Sequence, residues 1–275
     1  MERKAAAGIG WSSSRNNAPP AEPMLPDDLP PAQTAYFLDF DGTLAGIVPD
    51  PAQASVEPQT LAALDRLAAL AGGAVAVVSG RSIAELDRML DPLRLPLAGV
   101  HGLERRTADG TFMRTGIDAG AERRLVAAVG TFAGSRPGLL AEVKPGSVAL
   151  HYRRRPELEA GCLAFATDLA LADPRIRLVT GKKVVEMKLS ARTKGDAIAD
   201  FMAEAPFRGR RPFFAGDDTT DEAGFALVNA TGGVSLKVGP GPTRARHRVE
   251  DRAAFAAFLN ALAACDPAAR PAPRR

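Results

Sequence analysis

The stretch AYFLDFDGTL, residues 35–44, decides the fold because its apolar run ends abruptly in two aspartates that a single residue separates. The apolar run before the turn signal predicts a buried strand over residues 36–38. Side chains alternate along a strand, so Asp39 and Asp41 should point the same way where the chain leaves the sheet. Two crowded carboxylates repel each other and are costly to desolvate, and we therefore predict a Mg²⁺ ion between them.

An EF-hand calcium loop also opens with D-x-D. Such a loop requires a third Asp or Asn where this chain has Thr43, and its glycine stands two places later than Gly42. The sequence therefore excludes an EF-hand. Alone, D-x-D-G-T also fits an ordinary strand exit with solvated carboxylates, so its companions along the chain decide. They are VVSGR at residues 77–81, KG at 194–195 and AGDDTTD at 215–221.

The order of the predicted elements indicates an α/β fold. Leucines and an alanine lie on one face of a predicted helix over residues 60–71, which Gly72-Gly73 ends. Residues 74–78 form an apolar, β-branched run that is typical of a buried parallel strand. Strand, helix and strand in succession predict a doubly wound parallel sheet, because the helix is the crossover that a parallel pair requires. Residues 212–215 and 233–238 predict further strands.

Candidate phosphate ligands follow the second predicted strand. Ser79-Gly80 offers a hydroxyl and free backbone N–H groups, and Ser82 with Glu85 forms a capping-box pattern that starts a helix. A helix entrance of this kind binds anions, although a plain strand-to-helix turn has the same sequence. Lys194 opens another predicted helix at the same edge of the sheet, where its charge would neutralise a carboxylate and a phosphate group.

The segment GDDTTDE, residues 216–222, carries more aspartates than a helix cap uses. The surplus predicts a metal site in which Asp217 binds the ion directly and Asp218 or Asp221 supports the ligands without binding the ion. His101 follows a third predicted strand, and nothing in the sequence supplies it with a metal or a partner base. We therefore expect His101 to pack or to form hydrogen bonds locally.

Residues 105–189 show alternating strands in place of buried apolar runs, which predicts an inserted cap domain. Its hairpins turn at Pro145-Gly146 and Gly181-Lys182, and a helix covers residues 156–171. Charged residues share one face within each hairpin. They are Glu142 and Lys144 in the first hairpin, and Lys182 and Glu186 in the second. Spacing alone leaves two interpretations open, namely solvent-exposed salt bridges or hydrogen bonds to sugar hydroxyls.

Composition bounds the class of protein. The 275-residue chain has 46% hydrophobic and 24% charged residues and a net charge of +3, which suits a globular protein with a full core. Its arginine clusters indicate solvated surface, so we expect no nucleic-acid partner. Cys162 and Cys265 lie far apart in helical patterns and predict buried thiols without a disulfide framework. With no apolar run of about 18 residues and no signal-peptide core, we expect a cytoplasmic monomer without a membrane partner.

The whole set of motifs resembles the trehalose-6-phosphate phosphatase family of the haloacid dehalogenase (HAD) superfamily. The resemblance covers most of residues 36–238, and the insert segments are more specific than DFDGT. The segments that carry it are AGVHGLE (98–104), EVKPGSVALHYR (142–153), GKKVVEMKL (181–189), KGDA (194–197) and GDDTTDEAGF (216–225).

That resemblance implies a HAD-like core with an inserted α/β cap and a Mg²⁺-dependent phosphatase reaction on a small sugar phosphate. It implies that Asp39 is the nucleophile and Asp41 the acid and base. The remaining implied roles are Mg²⁺ binding by Asp39, the Asp41 carbonyl and Asp217, with Asp218 nearby; phosphate binding by Ser79, Gly80 and Lys194; and disaccharide binding by Glu142, Lys144, Lys182 and Glu186. Adjacent Lys182 and Lys183 leave the last assignment open by one residue.

The expected domain boundaries follow the motifs. Residues 1–33, which include Trp11, have the composition of a flexible tail, and residues 266–275 form a second tail. Residues 34–104 and 190–265 form the core, and residues 105–189 the cap. Two alternatives remain, another HAD phosphatase acting on a sugar phosphate such as sucrose phosphate, and a catalytically silent domain that binds a sugar phosphate or a partner protein. The intact motifs argue against a silent domain.

Overall fold

The computed structural model describes residues 28–48, 50–181 and 183–264. Most of the predicted N-terminal tail, including Trp11, lies outside the described residues, as do Lys182, Cys265 and the C-terminal tail. The strands are β1 Thr34–Leu38, β2 Val75–Val78, β3 Leu97–Gly99, β4 Glu104–Arg106, β5 Phe112–Arg114, β6 Leu140–Lys144, β7 Ser147–His151, β8 Arg177–Gly181, β9 Val184–Lys188, β10 Arg211–Gly216, β11 Val234–Val238 and β12 His247–Val249. The helices are α1 Pro58–Leu70, α2 Ile83–Leu90, α3 Ala119–Gly134, α4 Glu159–Ala172, α5 Lys194–Met202, α6 Glu222–Ala230 and α7 Arg252–Ala264.

The larger sheet has the strand order β12-β11-β10-β1-β2-β3-β4-β5. The strands from β12 to β3 are parallel, and β4 and β5 add an antiparallel edge. The chain builds β2 and β3 on one side of β1 and later adds β10 to β12 on the other side, so the winding direction reverses beside β1. This confirms the predicted doubly wound parallel sheet. Ligands of such sheets bind at the carboxyl ends of the strands where the order reverses.

Aromatic side chains on both faces of the sheet explain why β1 and β10 lie at its centre. Phe213 of β10 packs near Phe258 of α7, with ring centroids 6.0 Å apart. The next residue, Phe214, packs against Phe225 of α6 at 5.2 Å. Successive strand residues face opposite sides, so each face of β10 is covered by a helix. All five residues of β1 are buried, as the apolar run before Asp39 predicted.

The insert comprises α3, α4 and the antiparallel sheet β6-β7-β9-β8. Both predicted hairpins are present, and Gly146 takes φ 70° at the first turn. The helices cover one face of this sheet and enclose a hydrophobic cluster separate from that of the larger sheet. Representative members are Leu125, Val129, Leu150 and Met187. The opposite face of the sheet carries Glu142, Lys144 and Glu186, three of the charged side chains predicted from the hairpins.

Two segments differ from the sequence predictions. The arginines of residues 243–248 are exposed, as expected, but His247 and Arg248 also belong to β12, which the sequence did not predict and which pairs with β11 in parallel. A strand of three residues with two basic side chains leaves too short a pattern to detect. The expected tail ended at residue 33, yet Leu29 is fully buried and its carbonyl accepts a hydrogen bond of 2.6 Å from Tyr36 Oη. No helix in the described part of the chain is long and apolar enough to span a bilayer.

Candidate active site

An acidic cluster lies where β1 and β10 end. Leu38 is paired with Ala215 across the two strands, so the segments that follow leave the sheet side by side. One carboxylate oxygen from each of Asp39, Asp217 and Asp221 lies within 4.8 Å of the other two. Asp39 and Asp221 are buried. The strand ends therefore bring three carboxylates together in a region with little solvent.

Lys194 is the cation of this cluster. Its Nζ donates to Asp39 Oδ1 and to Asp221 Oδ1, at 2.6 Å each. Thr193 and Asp196 form a capping box, which fixes Lys194 as the first residue of α5. Although burial opposes it, the negative charges of Asp39 and Asp221 raise the pKa of Lys194 above its ordinary value. The lysine therefore stays protonated and neutralises part of the cluster.

Two glycines allow the carboxylates to approach the backbone. A Cβ atom on Gly42 would lie 2.0 Å from Asp217 Oδ2, and Gly42 has φ 81°. A Cβ atom on Gly216 would lie 2.4 Å from the carboxyl carbon of Asp221. Any side chain at either position would displace an aspartate. The glycines of DFDGT and AGDD are therefore required by the packing of the acidic cluster.

The cluster fits a divalent cation. Burial raises the pKa of Asp39, against the attraction of Lys194, and the charge of Asp221 raises it further. Burial and the charge of Asp221 likewise raise the pKa of Asp217. Asp217 Oδ1 is buried and has no hydrogen-bond partner among the described residues. An excess of carboxylates with an unpaired buried oxygen is the environment that a hard metal ion satisfies.

Asp218 lies outside this cluster. Its Oδ1 accepts a hydrogen bond of 2.9 Å from Thr219 Oγ1 and caps the short 3₁₀ turn Thr219–Asp221. Asp221 accepts from the Asp218 backbone N–H at 2.9 Å while it also binds Lys194. A metal role for Asp218 stays a prediction, and the geometry favours Asp221, which the sequence analysis offered only as the alternative to Asp218.

The carboxylate of Asp41 points to Arg81 and not to Lys194. Arg81 donates from Nε to Oδ2 at 2.7 Å and from Nη2 to Oδ1 at 2.6 Å. The Arg81 guanidinium also lies 5.5 Å from the Phe40 ring centroid. The charge-assisted hydrogen bond with Asp41 raises the pKa of Arg81. Arg81 belongs to the segment VVSGR, but the sequence predicts no contact for its side chain.

The Ser79-Gly80 segment lies between β2 and α2. Ser79 is buried, and its Oγ accepts from the Arg81 backbone N–H at 3.1 Å. The predicted capping box is confirmed, since Ser82 Oγ accepts from the Glu85 N–H and the Glu85 carboxylate accepts from the Ser82 N–H. The expected free N–H groups are largely occupied, since the Ser79 N–H donates to the Ala98 carbonyl at 2.8 Å and the Ile83 N–H donates to Glu104 at 3.0 Å. Phosphate binding by Ser79 and Gly80 stays a prediction.

A cavity of about 1340 Å³ connects the strand ends to the insert. Its core side includes Asp41, Gly80 and Asp217, and its other wall includes Glu142 and Lys144. Glu186 also lines it, as do several residues not selected from the sequence, notably Arg81, His101 and His151. The two sets of predicted site residues, which belong to the core strands and to the insert, thus face one space.

Comparison with known proteins identifies the family. The sequence profile of the trehalose-phosphatase family matches residues 37–254. The chain belongs to the trehalose-phosphatase family. It is 44% identical over 228 residues to the trehalose-6-phosphate phosphatase of Escherichia coli (strain K12). The aligned region covers 83% of this chain and 86% of that protein. It is 42% identical over 211 residues to a probable trehalose-phosphate phosphatase of Sinorhizobium fredii, covering 75% and 78% of the two chains.

The fold of this trehalose-phosphatase family member is also found in solved structures. The C-terminal domain of C. albicans trehalose-6-phosphate phosphatase superposes with a TM-score of 0.71 at 21% identity, over 86% of this chain and 93% of that chain. The HAD-like fold expected from the motifs is thereby confirmed. As a member of the trehalose-phosphatase family, the protein is an enzyme that hydrolyses phosphoric monoesters, as the resemblance implied.

Three of the insert residues expected to bind sugar in this family member, Glu142, Lys144 and Glu186, have polar partners within the insert. Glu142 Oε2 lies 2.8 Å from His151 Nε2, and Glu142 Oε1 lies 3.4 Å from Lys144 Nζ. Glu186 Oε1 accepts a hydrogen bond of 2.6 Å from Ser147 Oγ. His151 was missed, since it follows Glu142 by nine residues and reaches it only through strand pairing.

Of the adjacent lysines at positions 182 and 183, the structure describes Lys183. Lys183 Nζ binds Glu159 Oε2 of α4 at 2.7 Å, on the helix side of the insert, and Lys183 does not line the cavity. Lys182 lies outside the described residues. The choice of Lys182 as the sugar contact therefore stays a prediction.

Proposed function

We propose that the protein is a Mg²⁺-dependent phosphatase that hydrolyses trehalose 6-phosphate to trehalose and phosphate through an aspartyl-phosphate on Asp39. The observation that carries this proposal is one cavity with Asp217 and Asp41 on its core wall and Glu142, Lys144 and Glu186 on its insert wall. The names of the curated relatives support the same substrate. A sugar phosphate suits such a cavity, because its phosphate needs cations and its hydroxyls need many donors and acceptors.

The acidic cluster supports a resident Mg²⁺ ion. Asp39 and Asp217 would hold the ion together with the Asp41 carbonyl, and Asp221 would orient Lys194 beside them. When bound, Mg²⁺ supplies the positive charge that lets a phosphate dianion approach the carboxylates. Lys194 supplies a further positive charge from the protein itself, at 2.6 Å from the proposed nucleophile.

The first half-reaction uses Asp39 and Asp41. A carboxylate oxygen of Asp39 forms a bond to phosphorus while the bond from phosphorus to the sugar oxygen breaks. Asp41 gives a proton to the departing sugar oxygen, so trehalose leaves as a neutral alcohol. Arg81 occupies both carboxylate oxygens of Asp41, so this ion pair has to open before Asp41 reaches the sugar oxygen.

The second half-reaction restores the enzyme. Asp41 removes a proton from a water molecule, whose oxygen attacks phosphorus and releases Asp39 as a carboxylate. The bidentate contact with Arg81 suits this step, because it fixes the direction of the Asp41 carboxylate. Asp41 therefore alternates between acid and base, and Arg81 would orient it as the base.

The insert would act as a cap over the site. We propose that residues 105–189 form this cap and that residues 34–104 and 190–265 form the core. Contacts between sugar hydroxyls and Glu142, Lys144 or Glu186 would hold the cap closed and exclude water from the aspartyl-phosphate. Opening of the cap then releases the sugar. A monomeric state and a cytoplasmic location stay predictions of the sequence.

The deciding experiment is a panel of phosphate esters with MgCl₂. We expect kcat/KM for trehalose 6-phosphate to exceed that for sucrose 6-phosphate, glucose 6-phosphate and an aryl phosphate by about 100-fold or more, the discrimination that several hydroxyl contacts provide. Excess chelator should abolish turnover. Preference for sucrose 6-phosphate would favour the other sugar-phosphate phosphatase, and full activity in chelator would contradict the Mg²⁺ assignment.

A further inference from the structure

The turn Val100–Gly102 contains two consecutive non-glycine residues in the left-handed region, Val100 at φ 49° and His101 at φ 55°. Residues other than glycine seldom adopt this region, because Cβ approaches the following carbonyl oxygen. Asn, Asp and His tolerate it better than most, whereas a β-branched residue such as Val100 is a true outlier there. Strain of this kind persists where the surrounding structure enforces it, and it is concentrated at functional sites. The turn is therefore held in place by its surroundings and not by its own preference.

The residues that hold the turn belong to the segment 79–81, the proposed phosphate loop. The backbone N–H of Val100 donates to the Arg81 carbonyl at 2.8 Å, and that of His101 donates to the Ser79 carbonyl at 2.8 Å. The turn is thus bound to the loop on both sides of Gly80. Because these bonds use only main-chain atoms, they persist when the side chain of His101 is changed.

The imidazole of His101 lies directly on Gly80. A Cβ atom on Gly80 would lie 2.8 Å from the ring atoms Cε1 and Nε2, and both residues line the cavity. Burial, together with the charges of Lys188, Lys194 and Lys144, lowers the pKa of His101 to about 3. The ring is therefore neutral at physiological pH and carries one N–H donor. Three ammonium groups close enough to affect its protonation make the same space attractive to an anion.

We propose that the imidazole of His101 binds the phosphate group of the substrate beside Gly80, as a hydrogen-bond donor. The proposal rests on the phosphatase reaction above, which places the phosphate at the Ser79-Gly80 loop. A neutral donor adds a hydrogen bond without adding a charge that would hold the product. It also explains why a left-handed backbone is retained at a histidine, since the turn aims the ring at the loop.

Inorganic phosphate is the probe, because it is the reaction product and lacks the sugar. The variants are His101→Ala and His101→Asn, with His247→Ala as the control, a partly buried histidine on β12 outside the cavity. We expect His101→Ala to raise the inhibition constant of phosphate, and KM for both trehalose 6-phosphate and an aryl phosphate, by about 10- to 100-fold. His101→Asn should recover part of this loss, since Asn donates from its amide and tolerates the left-handed region. The control should match the wild type.

A second readout follows the ring itself. In ¹⁵N-edited NMR spectra the His101 imidazole should remain neutral from pH 5 to 8, and its nitrogen resonances should shift on addition of phosphate while those of His247 do not. Circular dichroism and the melting temperature identify variants that fold. An unchanged phosphate inhibition constant in folded His101→Ala overturns the proposal and leaves the proposed reaction intact. Conversely, His101-dependent phosphate binding in an enzyme that hydrolyses no sugar phosphate supports the contact and contradicts the reaction.

Discussion

Arg81 binds both carboxylate oxygens of Asp41, at 2.7 and 2.6 Å, and so joins the phosphate loop to the proposed acid and base. The two residues are 40 positions apart, and their side chains meet because β1 and β2 are neighbours in the sheet. Arg81 is itself mostly buried, with 9% of its side chain exposed. A planar guanidinium in this position fixes the direction of the Asp41 carboxylate, which a lysine at one contact point would not do.

Replacement of Arg81 tests this relationship. We expect Arg81→Gln to lower kcat for trehalose 6-phosphate by about 10- to 100-fold, because Asp41 loses two charge-assisted hydrogen bonds that orient it. The kcat of Arg81→Lys should lie between the values of Arg81→Gln and the wild type. Arg88→Gln, an exposed arginine of α2, serves as the control. Steady-state kinetics make the comparison, and equal activity of the two Gln variants would show that Asp41 needs no such partner.

The separate roles of Asp39 and Asp41 predict different losses on two substrates. Asp39→Asn should be inactive on every phosphate ester, since an amide replaces the nucleophilic carboxylate. Asp41→Asn should lose most activity on sugar phosphates and less of the first step on an aryl phosphate, whose leaving group needs no proton. Burst kinetics with the aryl substrate measure that step. Equal losses on both substrates would remove Asp41 from the acid role. Asp109→Asn, in the exposed β4–β5 loop, is the control.

Asp221 and Asp218 form a matched pair for the metal site. Asp221 lies in the acidic cluster and binds Lys194, whereas Asp218 caps a 3₁₀ turn at the surface. We expect Asp221→Asn to weaken Mn²⁺ binding by about 10-fold or more, and Asp218→Asn to change it less than threefold. Electron paramagnetic resonance titration with Mn²⁺ gives the affinities without an activity assay. A larger effect at Asp218 would restore the ligand set expected from the sequence.

The lowered pKa of His101 predicts acid sensitivity of folding. With a folded pKa of about 3 against an ordinary value of 6.5, the unfolded chain binds the proton first. This contribution to stability is complete above pH 6.5 and is lost as the pH falls toward 3, by about 1.4 kcal/mol per unit. His101→Asn should therefore lose about 2 kcal/mol less unfolding free energy between pH 7 and 4.5, as urea titrations would measure. Parallel curves for both proteins would contradict a buried neutral imidazole.

The sequence predicts the position of a polar residue correctly where that residue directly follows a strand or starts a helix. The pattern of DFDGT placed Asp39 at the end of β1, and S-x-x-E located the start of α2 correctly. Contacts across the fold were not accessible. Arg81 reaches Asp41, and His151 reaches Glu142, only after strands pair. Residue propensity opposes the left-handed conformation at the β-branched Val100, which the hydrogen bond to the Arg81 carbonyl holds in place.

The choice of Asp221 over Asp218 shows a second limit. Three aspartates within five residues signal a metal site, but which of them faces β1 depends on the 3₁₀ turn between them. The turn directs Asp221 inward beneath Gly216, where a Cβ atom would collide with it. Sequence spacing alone does not specify that turn. Composition likewise missed β12, whose three residues pair with β11 at the edge of the sheet.

The insert provides the test that separates a trehalose phosphatase from a general one. Glu186 and Lys144 line the cavity on the insert side, away from the acidic cluster. If they bind sugar hydroxyls, their binding energy closes the cap, so Glu186→Ala or Lys144→Ala should lower kcat/KM for trehalose 6-phosphate by about 10- to 1000-fold. With Glu186→Ala, hydrolysis of a small aryl phosphate and Mn²⁺ affinity should change little. The exposed Glu157→Ala is the control. Parallel losses on both substrates would make these residues structural and leave the chemistry at Asp39 standing without its sugar specificity.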